Sequence, residues 1–338
     1  TACGKTTAEP EKLTTTPDTV EEPTLEVAPT VVTIPTPTES SEIVILLAPP
    51  GTEADNAADL QSVLEELSER DNLELQTVSQ LSSSDINEDV RLVVVLPPDP
   101  GVRALATAAP HTQFLAVGIP GFEPTQNLSV LGALGEQPDR QGFLAGYMAA
   151  TVTPEWRVGV ISSEDTAPGK AAGNAFLNGA VFFCGLCRTA SPPYYEYPQI
   201  YRLPAGAGDA QWSTAVDYMA GNAVQTVYVS PESMETELLQ YLADSGINII
   251  GSEAPPNTVR DNWVASIEVD WLTPLRALWP RLISGEGGAA EEVLLVITNQ
   301  NPALFSPGRQ RLVNELLVDL QDGYIGTGVD PLTGEPRY

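Results

Sequence analysis

The sequence predicts an α/β protein with two doubly wound parallel-sheet lobes, joined by a hinge and preceded by a disordered stalk. Three observations carry this prediction. Apolar runs alternate with helical periodicity, the alternation restarts near residue 157, and the first 42 residues lack it. Strands separated by helices form parallel sheets covered on both faces. A chain of 338 residues has room for about two domains of ordinary size.

The N-terminal segment, residues 1–42, is predicted to be a lipid anchor followed by a Thr/Pro/Glu-rich linker. The chain opens Thr1-Ala2-Cys3-Gly4, which resembles the end of a bacterial lipoprotein signal peptide. Cys3 is therefore the expected lipidation site, and the alternative is a chance cysteine in a disordered tail. Prolines recur at close intervals up to Pro37. Because proline removes amide donors and blocks helices, we expect a partly extended spacer here.

The first lobe is predicted over residues 43–152. Ile43–Leu47 is a continuous apolar run ending in a Pro-Pro-Gly turn, as in a buried parallel strand. The helix predicted over 55–70 places its leucines and a valine on one face at i, i+3, i+4 and i+7. The remaining predicted elements are strands at 73–78, 92–96, 114–117 and 128–131 and helices at 101–109 and 136–151.

The second lobe is predicted over residues 153–261, and the chain is then expected to return. Residues 262–298 are expected with the first lobe and residues 299–338 with the second. The predicted strands are 157–161, 197–203, 224–229, 247–250, 264–267 and 293–297, and the predicted helices are 167–183, 209–221, 233–245, 271–283 and 309–320.

Two glycines lie four residues apart, Gly142 and Gly146, inside the helix predicted over 136–151. Glycine costs helix propensity in such positions. We therefore expect another element to pack closely against this helix.

The charge balance excludes several partners. The chain has 16 Lys+Arg against 45 Asp+Glu, a net charge of -29. Nucleic-acid binding needs a basic surface, so no nucleic acid is expected. No apolar run is long enough to span a bilayer, so membrane contact is expected through the lipid anchor only.

Catalytic and metal chemistry finds little support in the sequence. The single histidine, His111, offers no triad or His-rich metal site. The chain has no GxSxG elbow, phosphate-binding loop or HExxH helix, and Gly206-Ala207-Gly208 is an incomplete dinucleotide motif. We expect no enzyme activity, no cofactor and no metal.

Cys184 and Cys187 are separated by two residues near the end of a predicted helix. Inside a cell this spacing would indicate a redox or metal half-site. A second pair for zinc is absent from the sequence. Outside the cell a local structural disulfide is the better interpretation.

Candidate ligand-binding residues follow the predicted strands, in turns rich in Ser, Gly, Pro and acids. Ligands of open α/β sheets bind at the carboxyl ends of strands. The same residue types also make turns and helix caps, and that alternative stays open for each. Trp212, near the start of a helix, is either a ring for ligand stacking or part of the core. The candidates are Gly51, Asp55, Gly118, Ser163, Trp212, Ser230, Glu253 and Glu268.

One block of the chain resembles a known family. Gly142-Phe143-Leu144-Ala145-Gly146-Tyr147-Met148-Ala149-Ala150, with Glu136-Gln137 before it and Trp156-Arg157-Val158-Gly159-Val160-Ile161 after it, resembles the signature of the basic membrane protein family. Ala175-Phe176-Leu177-Asn178-Gly179-Ala180, Ile250-Gly251-Ser252-Glu253 and Val264-Ala265-Ser266-Ile267 are similar to later motifs of that family, so the resemblance covers roughly residues 92–283.

This resemblance implies a type I periplasmic-binding-protein fold and a lipoprotein that feeds an ABC transporter, typically with purine nucleosides. The chain departs from the family pattern in four places. The first strand ends in Pro49-Pro50-Gly51-Thr52-Glu53, and Ala57-Ala58 stand where the family has Phe-Asn. Glu268 stands about where the family has Lys, and Glu253 matches the closing Asp only in charge. We therefore expect the chain to share the fold of this family more closely than its nucleoside ligand.

The function expected from the sequence is that of a cell-surface substrate-binding lipoprotein. It would capture a small polar metabolite, with a nucleoside favoured, and deliver it to an ABC transporter permease. We expect a monomer, anchored by lipid on the bacterial cell surface or in the periplasm. The alternatives are a ligand-free surface scaffold or adhesion protein, and a sensor that kept the binding-protein fold.

Overall fold

The described part of the chain comprises residues 42–52, 54–133 and 135–337 of a computed structural model, without the side chains of residues 54–56. Cys3 and all of the predicted linker except residue 42 lie outside it. Lipidation therefore stays a prediction. No described helix is both long enough and apolar enough to cross a bilayer.

The first lobe is built on a six-stranded parallel sheet. Helices α1 (Ala54–Arg70), α2 (Val102–Ala108) and α7 (Leu272–Ile283) cover its two faces. Its strands are β1 (Ile43–Leu47), β2 (Glu74–Val78), β3 (Val90–Val95), β4 (Gln113–Val117), β5 (Leu128–Leu131) and β11 (Ala290–Glu291), in the spatial order β11-β5-β4-β3-β1-β2.

The second lobe has a six-stranded sheet of its own, parallel except for one edge strand. The strands are β6 (Val158–Ser163), β7 (Gln199–Leu203), β8 (Thr226–Val229), β9 (Asn248–Gly251), β10 (Trp263–Asp270) and β12 (Leu294–Thr298), in the order β12-β10-β9-β8-β6-β7. β12 is antiparallel to β10. The helices are α3 (Pro138–Val152), α4 (Ala167–Cys184), α5 (Asp209–Gly221), α6 (Thr236–Asp244) and α8 (Pro307–Gln321). The predicted fold class is confirmed.

Successive residues of the central strands pack on opposite faces, as the period of a strand requires. In β1, Val44 and Leu46 pack towards α1 and α7, whereas Ile45 and Leu47 pack towards α2. In the second sheet, Tyr228 of β8 packs with α3, α4 and α8, and its neighbours Val227 and Val229 pack with α5 and α6. Buried apolar runs are thus explained by sheets covered on both faces.

The chain passes between the lobes three times. It crosses after β5 to reach α3, after β10 to reach α7, and after β11 to reach β12. This differs from the expected division, in which 262–298 accompanied the first lobe and 43–152 was undivided. β10 and β12 belong to the second sheet because β10 pairs with β9, and α3 packs in the core of the second lobe. Only α7 and β11 return to the first.

Helices α3 and α4 touch through their backbones. A Cβ added at Gly142 would lie 2.1 Å from the carbonyl oxygen of Ala172, and one at Gly146 would lie 2.1 Å from that of Phe176. A Cβ at Gly179 on α4 would lie 1.9 Å from the carbonyl oxygen of Phe143. The glycines therefore permit a contact that no side chain could fit, which explains their place inside a helix.

The C-terminal segment after α8 folds back over α3 and α4, which the sequence patterns did not indicate. Thr327 donates a hydrogen bond to the buried carboxylate of Asp139 at 2.8 Å. Asn178 and Asn174 of α4 donate to the carbonyls of Thr327 and Gly334. Polar side chains of the helices thus hold a segment whose own structure is a turn closed by one antiparallel bridge, Val329 with Pro336.

Tyr228 is fully buried, and its ring stacks on Phe176 with centroids 6.1 Å apart. Its hydroxyl has no hydrogen-bond partner among the described residues. Burial, and then the nearby charge of Glu136, raise the pKa of this hydroxyl above its ordinary value. The group is therefore desolvated without compensation.

The variant Tyr228→Phe is expected to be as stable as the parent or more stable by up to about 1 kcal/mol, because it removes an unsatisfied polar group. Tyr197→Phe is the matched control, since the Tyr197 hydroxyl donates to the carbonyl of Asn222 at 2.6 Å. The control should lose about 1 kcal/mol in urea denaturation. A loss at Tyr228 as large as at Tyr197 would mean that the Tyr228 hydroxyl has a buried partner.

Candidate functional site

A cleft of about 630 Å³ lies between the two lobes, beside the carboxyl ends of β8 and β9. Its volume falls within the range of sites that bind small molecules. The lining residues are Ala58, Asp59 and Leu60 of α1, Glu136 and Gln141 near the start of α3, Pro231, Ser252, Glu253 and Ala254 after β8 and β9, Glu268, Val269 and Asp270 of β10, Trp271, Leu272 and Val296.

The place of the cleft follows from the topology. In open α/β sheets, ligands bind beyond the carboxyl ends of the strands, where loops and helix starts meet. Both lobes contribute walls, and the first two crossings bring Glu136 and Asp270 to the cleft. A solute held there would touch both lobes and the segments that join them.

Trp271 lies where β10 passes into α7, and two glycines make room for its indole ring. A Cβ at Gly132 would lie 2.5 Å from Cζ3 of Trp271, and one at Gly118 would lie 3.1 Å from Cη2. Both glycines have positive φ, +68° and +65°. The ring is 9% exposed and also lines the cleft. It thus forms a fixed aromatic wall at the hinge.

The crossings are tied to one another by hydrogen bonds. Gln137 donates its side-chain amide to the carbonyl of Val293 at 2.9 Å, and the backbone amide of Gly132 donates to Glu291 at 2.8 Å. The first and third crossings are therefore held side by side.

Glu268 and the loop of Glu253 are positioned by hydrogen bonds from the second lobe. Thr298 and Asn299 both donate to Oε1 of Glu268, at 2.6 and 3.1 Å. The indole of Trp263 donates to the hydroxyl of Ser266, which donates to the backbone carbonyl of Glu253. Both positions are thereby fixed before any solute binds.

Two buried polar atoms of the cleft lack partners. Gln141 donates its amide to the carbonyl of Ile267 at 3.3 Å, but its Oε1 has no hydrogen-bond partner among the described residues. The hydroxyl of Ser252 likewise has none in the described part of the chain. These residues are 3% and 8% exposed. Buried polar atoms in proteins are normally satisfied, so a bound solute is the natural partner for both.

The structure brings some of the predicted ligand residues together and leaves others apart. Glu253 and Glu268 line the cleft, and Gly118 backs the ring of Trp271. Ser230 is buried, with its hydroxyl 3.4 Å from that of Ser233, and it precedes the cleft residue Pro231. Ser163 is buried at the end of β6, where α4 approaches it closely at Gly169.

Glu253 and Glu268 alone of the eight candidates are among the described lining residues, and three of the others also lie apart from the cleft walls or outside the described residues. Gly51 is exposed in the turn after β1, and the side chain of Asp55 lies outside the described residues. Trp212 packs against the core shared by α5 and α6. Of the two alternatives left open for Trp212, its position in the structure favours the core.

The sequence patterns missed Asp59, Gln141 and Trp271. Asp59 lies in the second turn of α1, the helix that follows β1. Helix starts meet strand ends at the ligand-binding edge of an open α/β sheet, and this is the signal for Asp59. Gln141 is a polar residue amid the apolar positions of α3, which is a usable signal. Trp271 follows a strand end directly, but an aromatic residue before a helix equally indicates core.

Cys184 and Cys187 form a disulfide at the end of α4. α4 starts near the cleft, where Thr166 donates to Glu232, and its 18 residues extend roughly 27 Å. The disulfide therefore lies at the far end of the second lobe. A crevice of about 40 Å³ adjoins it, too small for an organic solute.

Comparison with known proteins finds likeness in structure alone. No protein-family model matches the chain, and no curated protein matches it. An ABC transporter solute-binding protein from Conexibacter woesei superposes with a TM-score of 0.59 at 15% identity, over 85% of this chain and 98% of the other. The chain has the type I periplasmic-binding-protein fold.

Two further structures show how widely this fold is used. A transcriptional activator of the comK gene from Bacillus halodurans has a TM-score of 0.58 at 13% identity, over 84% of this chain and 99% of its own. A periplasmic solute-binding protein from Actinobacillus succinogenes, with bound D-allose, has a TM-score of 0.52 at 12% identity, over 78% and 99%. At these identities the likeness establishes the fold, and function has to be argued from the site.

Proposed function

We propose that the chain is a substrate-binding protein that captures a small polar solute between its lobes and delivers it to an ABC transporter permease. The observation that carries the proposal is the interlobe cleft, whose buried polar atoms at Gln141 and Ser252 await partners. A ligand-free scaffold would gain stability by filling such a space or by satisfying those atoms. An open cleft with built polar walls therefore favours the receptor over the scaffold.

The proposal includes hinge closure around the solute. Three short crossings joining two rigid lobes are the arrangement in which small rotations open and close a cleft. In the closed arrangement, walls from both lobes touch the same solute. The solute therefore binds the closed arrangement more tightly than the open one, and this difference in affinity shifts the protein towards closure.

The finer features belong to the same proposal. The sequence around Cys3 supports a lipid-anchored protein outside the cytoplasm. The net charge of -29 supports a monomer, and the family resemblance supports a permease as its partner. The resemblance to the basic membrane protein family suggests a nucleoside as the solute. Trp271, rather than Trp212, is the ring against which a base would stack in the cleft.

The test is thermal unfolding of the full chain in the presence of nucleosides, bases, sugars, polyols, amino acids and amines. A solute that binds the native state at 100 times its Kd stabilises it by about 2.7 kcal/mol. We expect at least one compound to raise the Tm of the parent. The blocking variant Ala58→Trp, on an exposed lining position of α1, should abolish that rise.

Ala210→Trp is the matched control, because Ala210 is exposed on α5 and does not line the cleft. It should respond to the solute as the parent does. The proposal is wrong if no compound raises the Tm of the parent, or if the rise is the same in both variants.

A further inference from the structure

The walls of the cleft are rich in hydrogen-bond acceptors and carry negative charge. Of its described lining residues, Asp59, Glu136, Glu253, Glu268 and Asp270 are carboxylates, and none is Lys, Arg or His. They come from α1, the first crossing, the loop after β9, and β10, so they surround the space rather than share one edge. A solute in the cleft meets carboxylates from both lobes.

Three of these carboxylates have no compensating cation among the described residues, and hydrogen bonds hold two of them in place. Asp59, Glu268 and Asp270 form no ion pair with any cationic side chain of the described residues. Oδ1 of Asp270 accepts the backbone amide of Thr273 at the start of α7, at 3.0 Å. Among the described residues, the donors to the Glu268 carboxylate are the neutral groups of Thr298 and Asn299. Their negative charge is therefore left for the solute to balance.

The buried amide of Gln141 points independently to a donor on the ligand. Its Oε1 can only accept a hydrogen bond, its residue is 3% exposed, and no described residue supplies the donor. An alkylammonium group carries up to three N–H donors and no acceptor, so it satisfies such walls completely. The hydroxyl groups of a polyol carry acceptor lone pairs as well as donors, and some of these lone pairs would face the acceptors of the cleft walls without a hydrogen bond.

The aromatic wall suits the same class of compound. Trp271 is the one aromatic side chain among the described lining residues, and its ring packs closely against Gly118 and Gly132. An organic cation over the face of an indole is attracted by the ring quadrupole, and tryptophan is the best side chain for this contact. A metal ion is a poorer fit, since the described residues contain no cluster of three or more His, Cys, Asp or Glu able to hold one.

We propose that the solute of the cleft is a small organic cation, an alkylammonium compound with at least one charged amino group. This inference rests on the proposed receptor function, and from the charge of the cleft walls it replaces the nucleoside suggested by the family resemblance with a charged amine. The carboxylates supply the counter-charge, Gln141 accepts an N–H, and Trp271 packs on the carbon chain or the cationic head.

The experiment compares matched cationic and neutral probes on the full chain by titration calorimetry at neutral pH and 150 mM NaCl. The probes are 1,4-diaminobutane, spermidine, choline, 1,4-butanediol, D-allose, adenosine and Ca²⁺. This salt concentration screens charges over about 8 Å, which suppresses diffuse attraction of amines to an acidic surface. We expect at least one amine to bind, and the isosteric butanediol not to.

Variants place the binding in the cleft. Glu268→Gln and Asp59→Asn remove one charge each from opposite lobes while keeping shape, and each should weaken amine binding about tenfold or more. Glu69→Gln is the matched control, an exposed charge further along α1 that does not line the cleft, and it should bind as the parent does. Asp59 is exposed, so its substitution leaves the core intact.

The outcomes separate this inference from the function it rests on. If D-allose, adenosine or another neutral probe binds in the cleft and no amine does, the proposal of a cationic ligand is wrong and the proposed receptor function is retained. Amine binding that is equal in all three variants would reduce it to a surface effect and overturn the inference. Binding of Ca²⁺ alone would overturn the proposal of an organic cation and indicate a metal ion as the ligand. Failure of every probe, together with a flat thermal panel, would overturn both proposals.

Discussion

Gly146→Ala is expected to lower the free energy of unfolding by about 3 kcal/mol or more, because its new methyl group has no space. The added Cβ would lie 2.1 Å from a backbone carbonyl oxygen of α4 and 2.8 Å from the backbone nitrogen of Ala180. Backbone atoms cannot rotate away as a side chain can, so α3 and α4 must separate along their whole contact. Typical domains have only about 5–15 kcal/mol of stability in total. Urea denaturation followed by circular dichroism measures the loss.

Gly308→Ala is the matched control for this substitution. Gly308 also lies in a helix, α8, and a Cβ added there meets nothing within 4 Å. Alanine has the higher helix propensity, so the control should be as stable as the parent or more stable by up to about 1 kcal/mol. A Gly146→Ala protein with the stability of the control would show that the two helices are not in backbone contact.

Trp279→Ala is expected to cost about 3–5 kcal/mol and to act on the first lobe. Trp279 is fully buried between α7 and the sheet, and its indole N–H donates to Asp71 beyond the end of α1 at 2.6 Å. Truncation opens a large cavity where the buried ring of Trp279 fastens α7 to the end of α1. Differential scanning calorimetry should show a lowered Tm, with the second-lobe variant Gly146→Ala as the comparison.

The variant Trp279→Phe distinguishes the contribution of the apolar ring from that of the indole hydrogen bond to Asp71. It keeps most of the apolar volume and should cost about 1 kcal/mol. Hydrogen bonds from Arg70 and then from Trp279 hold the pKa of Asp71 below its ordinary 3.8. A carboxyl group whose pKa is lower in the folded state stabilises the fold at pH values above its unfolded-state pKa. This stabilisation is lost as the pH falls through the folded-state pKa. The difference between the parent and this variant should therefore shrink as the pH falls below 3.8. A constant difference would show that Trp279 does not contribute to the lowered pKa.

The order of strands and helices was predictable from the sequence because local periodicity determines it. Runs such as Ile43–Leu47 and Leu128–Leu131 coincide with the observed strands. The side of the molecule to which β10 and β12 belong was not predictable. Pairing between strands far apart in sequence depends on tertiary contacts, and an apolar run carries the same pattern in either sheet.

The candidate site was predicted in position but only partly in composition. Strand-end reasoning pointed to Glu253 and Glu268, which line the cleft. It had no means to rank Trp271 above Trp212, since both rings lie at helix starts. Gln141 is marked in the sequence only as a lone amide within an apolar helix, and this signal becomes decisive when its unsatisfied oxygen is seen in the structure. The charge of the cleft depends on which acids converge, and that is a property of the fold.

The three crossings also govern how the protein can be made. Neither sheet is complete in a contiguous piece of chain, because β11 closes the first and β12 the second within a few residues of each other. A chain cut after residue 260 would consist of two unfinished lobes, with the faces that α7 and α8 cover left exposed. Such surfaces attract chaperones and proteases. Both lobes thus reach their final form almost together, once β11 and β12 have joined their sheets.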